Sequence, residues 1–168
     1  MWTRSEILAR PCPVPKAPGI YAWYFSGLSC VPSDNCHERS GARLLYVGIA
    51  PALEKSTTSL HRRIRTHFRN NGMSTLRRSL GCILADELEI APSVPLRRGT
   101  PQEQILSDWM AEHASVTWCE VDSPWKLEPN VIRKLCPPLN LQHNPGNPFA
   151  AELARLRKLD RTLAGDGS

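Results

Sequence analysis

Between Glu54 and Asp86 the chain carries no carboxylate, while Lys55, Arg62, Arg63, Arg65, Arg69, Arg77 and Arg78 place seven cations in residues 55–85. A run this lopsided suits anions, and phosphate is one whose oxygens a planar guanidinium fork matches. Leu60, Ile64 and Phe68 recur every four positions, so the segment reads as an amphipathic helix that begins at Thr58 or Ser59 and stops at Asn70-Asn71-Gly72. On such a helix Arg62, Arg65 and Arg69 fall opposite the apolar ridge and form a solvent-facing phosphate grip, to which Arg77 and Arg78 add. Arg63 and His67, one turn apart, fall about 80° from the ridge, at the border of core and solvent where a reacting side chain sits. For any one of these arginines a solvated surface is the simpler reading; the argument for chemistry is the company they keep.

A chain of 168 residues fits one domain with a real core. With 41% hydrophobic and 22% charged residues it matches an ordinary globular composition, which excludes a disordered, collagenous or disulfide-scaffold class. The net charge is +5, but residues 55–85 alone carry +7, leaving −2 for the rest, so the basicity is one face rather than a property of the whole chain. Cys12, Cys30, Cys36, Cys82, Cys119 and Cys136 lack any CxxC pair, and Met1 to Glu6 opens no apolar signal segment, so we expect reduced thiols in a cytoplasmic protein. Cys30, Cys36 and His37 form the one cluster with a metal flavour. A tetrahedral zinc site needs four ligands and no fourth is evident nearby, which favours a plain loop. Nothing approaches the roughly 20 continuous apolar residues of a membrane span.

The elements that must position the arginines follow from period and punctuation. Pro11, Pro13, Pro15 and Pro18 make an extended lead-in. Residues 19–25 and 43–49 predict two antiparallel strands joined by the long polar loop 26–42, with Tyr21, Trp23 and Phe25 on one face. After the Arg helix, helices are predicted over 74–88 and 102–113, a third strand over 115–121, a helix from Pro124 to about Leu135, and a last helix from Phe149 to Leu163. The expected fold is mixed α/β (α+β): a small central antiparallel three-stranded sheet flanked by helices. Residues 1–17 would be the lead-in, 18–146 the domain with a helical insertion at about 72–114, and 147–168 a C-terminal helix with a frayed tail.

Gly19-Ile20-Tyr21 and Tyr46-Val47-Gly48 resemble the paired tripeptides of the GIY-YIG nucleases, with Val in place of the middle Ile. Leu60 to His67 resembles that family's helix, in which an essential Arg sits three residues after a Leu. Trp125-Lys126-Leu127-Glu128, then Val131-Ile132 and Pro138-Leu139-Asn140, resembles its metal-binding Glu followed by a Pro-x-Asn turn. The resemblance runs from about Pro18 to Asn144, with five motif elements in order.

The resemblance implies an endonuclease that hydrolyses phosphodiesters in nucleic acid, DNA before RNA. Arg63 would hold the scissile phosphate and Glu128 one Mg²⁺, with Mn²⁺ as a substitute; a single carboxylate argues for a single ion. Tyr21 would be the general base or its immediate partner, with Tyr46 and His67 positioning and deprotonating the water, and Arg63 close enough to counter the high pKa of a phenol. Asn140 would donate to the phosphate or to a tyrosine hydroxyl, or else stabilise the turn after Pro137-Pro138. Lys16, Arg43 and Arg97-Arg98 would extend the phosphate track, and of the five tryptophans four are expected in the core. No second DNA-binding module is evident, so specificity would come from the insertions or a targeting partner, or be absent. The rival from another class is a catalytically silent nucleic-acid-binding module of the same fold.

Overall fold

A computed structural model describes residues 1–32, 36–69, 74–90 and 99–165. The chain runs β1 (Trp2–Thr3), α1 (Arg4–Leu8), β2 (Gly19–Phe25), β3 (Glu38–Arg39), β4 (Ala42–Ala50), α2 (Leu60–Arg69), α3 (Thr75–Ile83), α4 (Pro101–His113), β5 (Ala114–Glu120), α5 (Pro124–Leu135) and α6 (Ala150–Gly165). The strands form one antiparallel sheet in the order β1-β5-β2-β4-β3. The expected α/β class and its three long strands are present, but among the described residues the sheet has five strands rather than three. The two additions are edge strands of two residues each, too short to show the period of two by which a strand is read. One of them, with α1, makes the start of the chain part of the fold instead of a lead-in; residues 9–18 alone keep the non-helical character that the prolines impose.

Two layers of helices cover the sheet. On one face Tyr21, Trp23, Phe25 and Tyr46 pack with Leu60, Ile64 and Phe68 of α2, Leu76 and Leu80 of α3, and Leu106 and Met110 of α4. On the other, Tyr24, Leu44 and Val47 meet Ile132 of α5. A bulge between Trp23 and Tyr24 in the β2–β4 register interrupts the alternation, so that Leu45 and Tyr46 both join the first cluster. α3 ends five residues earlier than predicted, at Ile83, and Leu84 and Ile90 stay buried in the turns beyond it. No helix among the described residues is long and apolar enough to cross a membrane.

Arg77 corrects the view of the basic stretch as one exposed grip. It is 2% exposed and donates to Glu103 Oε1 at 2.9 Å, Ser107 Oγ at 2.8 Å and the His67 carbonyl at 3.2 Å, tying α2, α3 and α4 together. Burial lowers its pKa to about 10 against the pull of Glu103. The helical wheel could not place it, because its partners come from a helix 26 and 30 residues further along the chain.

Candidate active site

Tyr21 lies in β2 between β4 and β5, with Gly48 and Trp118 as its cross-strand partners. A Cβ on Gly48 would meet the Tyr21 hydroxyl at 2.5 Å, so the glycine gives the phenol room to lie across β4. Gly19 has a parallel reason: a Cβ there would run into the Cys119 carbonyl oxygen and, at 2.6 Å, Leu60 Cδ1, where α2 crosses the sheet. These contacts explain both motif glycines by close approach rather than by backbone freedom.

Around the Tyr21 hydroxyl the sequence-predicted residues converge. His67 Nε2 lies 2.9 Å away and Arg63 Nε donates to the oxygen at 3.4 Å. Tyr46 sits two residues before Gly48, its ring centroid 6.2 Å from that of His67. Burial pushes the Tyr21 pKa well above the ordinary phenol value; Tyr46 adds to this, and Arg63 opposes it without offsetting it. Burial raises the Tyr46 pKa as well, with Arg63 opposing. On Arg63 burial works against the charge, yet Tyr21, Tyr46 and Glu128 together hold its pKa above the usual value. The expected role of Arg63 as a counterweight to the phenol is thus present in geometry but is outweighed by burial.

His67 is fully buried, where a border position was expected. Both ring nitrogens are taken, Nε2 by Tyr21 and Nδ1 by Ser74 Oγ at 2.7 Å. Burial, then Arg63 and Arg77, lower its pKa well below the normal imidazole range, so the ring is neutral. The ring is therefore enclosed between Tyr21 and Ser74 rather than set at the border of core and solvent.

Asn140 is held against β4 by both ends of its side-chain amide. Its Oδ1 accepts from the Val47 N–H and its Nδ2 donates to the Val47 carbonyl, both at 2.8 Å. With Leu139 N–H donating to the Leu45 carbonyl at 2.9 Å, the Pro-x-Asn segment extends the sheet along the open edge of β4, beside Tyr46 and Gly48. Asn144 and Asn147 both donate Nδ2 to the Asn140 carbonyl and so clamp the following loop.

Glu128, half-buried on α5, is the expected cation ligand. Burial raises its pKa while His143 and Arg63 pull it down. Among the described residues its carboxylate makes no hydrogen bond or ion pair. No group of three or more His, Cys, Asp or Glu gathers as a metal cage among those residues either. A half-desolvated carboxylate without a protein donor, facing an arginine suited to phosphate, fits a small hard ion that takes one carboxylate and completes its shell with water and phosphate oxygens.

The other predicted contacts divide. Arg62 and Arg69 are exposed on α2; Arg65 is half-buried and donates to the Ile7 carbonyl at 3.1 Å, holding α1 to α2. Arg78 is exposed, with Asp160 of α6 at 3.8 Å. Arg43 donates to the Leu28 carbonyl at 3.0 Å, and Arg97, Arg98 and the helix stop at 70–72 lie outside the described residues. His37 turns to the Tyr24 hydroxyl at 3.3 Å. Only Trp23 and Trp109 are buried, instead of four tryptophans; Trp2 stacks on Trp118 at 5.8 Å and is 39% exposed. Sequence reasoning missed Ser74 and His143. Ser74 is legible as a helix start and His143 as a loop residue, but no spacing ties either to the site, since each approaches it through the fold.

The family model described as the GIY-YIG catalytic domain matches residues 19–159. Comparison with curated proteins and with solved structures finds no match. Because the matched span takes in most of the chain and holds Tyr21, Tyr46, Arg63, His67, Glu128 and Asn140, the chain belongs to the GIY-YIG catalytic domain family, a family of nucleases.

Proposed function

We propose that the protein is a metal-dependent endonuclease that hydrolyses phosphodiester bonds in DNA. The observation that carries this reading is the placement of one tyrosine hydroxyl, Tyr21 Oη, against both Arg63 Nε at 3.4 Å and His67 Nε2 at 2.9 Å. Arg63 spends Nε on Tyr21, which leaves its two terminal nitrogens to take phosphate oxygens as a fork. The scissile phosphorus is thereby held beside Tyr21 Oη, the atom that aligns the attacking water. To take the water's proton that oxygen must first give its own to solvent and become a phenolate; burial opposes this, and the two N–H donors that can point at it, from Arg63 and His67, work in its favour. Tyr46 shares the pocket and packs against the His67 ring. When bound at Glu128, a divalent ion would neutralise phosphate charge and stabilise the leaving 3′ oxygen. Arg62, Arg69 and Arg78 line exposed helix surface that takes flanking phosphates without reading bases.

The test is incubation with labelled single-stranded, duplex and branched DNA plus Mg²⁺, alongside Arg63→Ala and Glu128→Ala. Cleavage that disappears in both variants and in EDTA is expected, and survival in either variant would sink the assignment. Binding without cleavage of any substrate would favour the silent nucleic-acid-binding module. Glu128→Gln separates chemistry from folding: it removes a charge that burial disfavours, so it should abolish cleavage while leaving thermal stability equal or higher.

A further inference from the structure

His67 can carry its proton on either ring nitrogen, and only an Nε2–H donates to Tyr21 Oη. We propose that Ser74 decides this, donating its hydroxyl to His67 Nδ1 and thereby fixing the proton on Nε2, aimed at the Tyr21 oxygen. Ser74 is then a positioning residue, contributed by the insertion between the Arg helix and the third long strand. The proposal rests on the reading of Tyr21 as the residue that handles the water.

Ser74 is the N-cap of α3, 7% exposed, and its Oγ already accepts the Arg77 backbone N–H at 3.1 Å. The same oxygen lies 2.7 Å from His67 Nδ1. A hydroxyl that accepts from a helix N-terminus still has its own proton to give, and the imidazole is the group in reach of it. The alternative would aim a second N–H at that oxygen, against the positive end of α3 and with the Arg77 guanidinium beside the ring. A lone pair on Nδ1 suits that field better. The proton then resides on Nε2, 2.9 Å from Tyr21 Oη, where Arg63 Nε–H also points. Two N–H donors on one phenol oxygen stabilise the phenolate, and a neutral imidazole held beside a helix N-terminus acts as such a donor without becoming charged. The groups facing Tyr21 are Tyr46, Arg63, His67 and Glu128; those facing His67 are Tyr21, Tyr46, Arg63 and Arg77.

The test reads the tautomer directly. Long-range proton–nitrogen correlation spectra of the ¹⁵N-labelled protein, with the His67 signals assigned by their loss in His67→Gln, should show an Nε2–H imidazole in the wild type and in Ser74→Thr. Ser74→Ala should lose that single tautomer and cleave DNA roughly 10- to 100-fold more slowly, while Ser74→Thr restores the rate. An Nδ1–H tautomer in the wild type would overturn the proposal. So would a folded Ser74→Ala that keeps the Nε2–H form whatever its rate, or one that changes tautomer with cleavage intact. If Ser74→Ala fails to fold, the wild-type and Ser74→Thr spectra still decide. If the wild type cleaves no DNA, the nuclease reading fails while the spectra judge the Ser74 link on their own.

Discussion

The ring of Tyr21 lies across Gly48 so closely that a methyl group there would stand 2.5 Å from the phenol oxygen and 2.6 Å from Cζ. Gly48→Ala should therefore displace the hydroxyl from between Arg63 and His67. A misplacement of about 1 Å in a reacting group costs on the order of 10²-fold in rate, and the overpacking should cost ~1–3 kcal/mol of stability. Single-turnover cleavage beside urea denaturation checks both; full activity in Gly48→Ala would show that the phenol position does not govern the reaction.

His67 gives stability a pH dependence with a definite sign. In the unfolded chain its imidazole takes up a proton below pH ~6.5, whereas in the fold it stays neutral well below that value. The unfolded state then binds more protons, so stability is lost as pH falls below ~6.5, by at most about 1.4 kcal/mol per pH unit from this one group. Urea midpoints taken from pH 7.5 to 5 should fall more steeply in the wild type than in His67→Gln. Parallel curves would contradict a neutral buried His67.

Arg77 and the exposed arginines should separate cleanly. Arg77→Ala leaves Glu103 buried without its partner, a change that typically costs ~3–5 kcal/mol. Arg62→Ala should change stability by no more than ~0.5 kcal/mol, yet Arg62→Ala and Arg69→Ala should each reduce the slope of log binding constant against log salt by about 1. Calorimetry and DNA binding at several salt concentrations distinguish the two behaviours; a lost salt slope in a stably folded Arg77→Ala would return that residue to the nucleic-acid interface.

Asn140→Ala removes two buried hydrogen bonds to Val47 and leaves that residue's N–H and C=O without them. The expected cost is ~1–3 kcal/mol per unsatisfied group. Because β4 carries Tyr46 and Gly48 beside that clasp, cleavage should slow while the DNA dissociation constant stays the same. Weaker DNA binding with unchanged stability would instead mean that Asn140 touches phosphate.

The long strands and most helices are legible in the sequence because their signals are local: alternation in 19–25, a four-residue apolar period in 60–68, proline and glycine at the breaks. The edge strands at Trp2–Thr3 and Glu38–Arg39 are not, since two residues carry no period and are defined only by the strand they pair with. The same division runs through the site. Tyr21, Tyr46, Arg63, His67, Glu128 and Asn140 can be picked out by type, spacing and family resemblance. What each does depends on what encloses it.

The sequence alone determined the α/β class and the family of nucleases to which the chain belongs. Only the tertiary structure decided that Arg77 is a buried tie, that Asn140 clasps β4, and that His67 is enclosed between Tyr21 and Ser74. The reason is physical. Residue type fixes what a group can donate, accept or ionise, while desolvation and the partners in reach fix which of these it does, and both are set by segments that lie far apart in the chain.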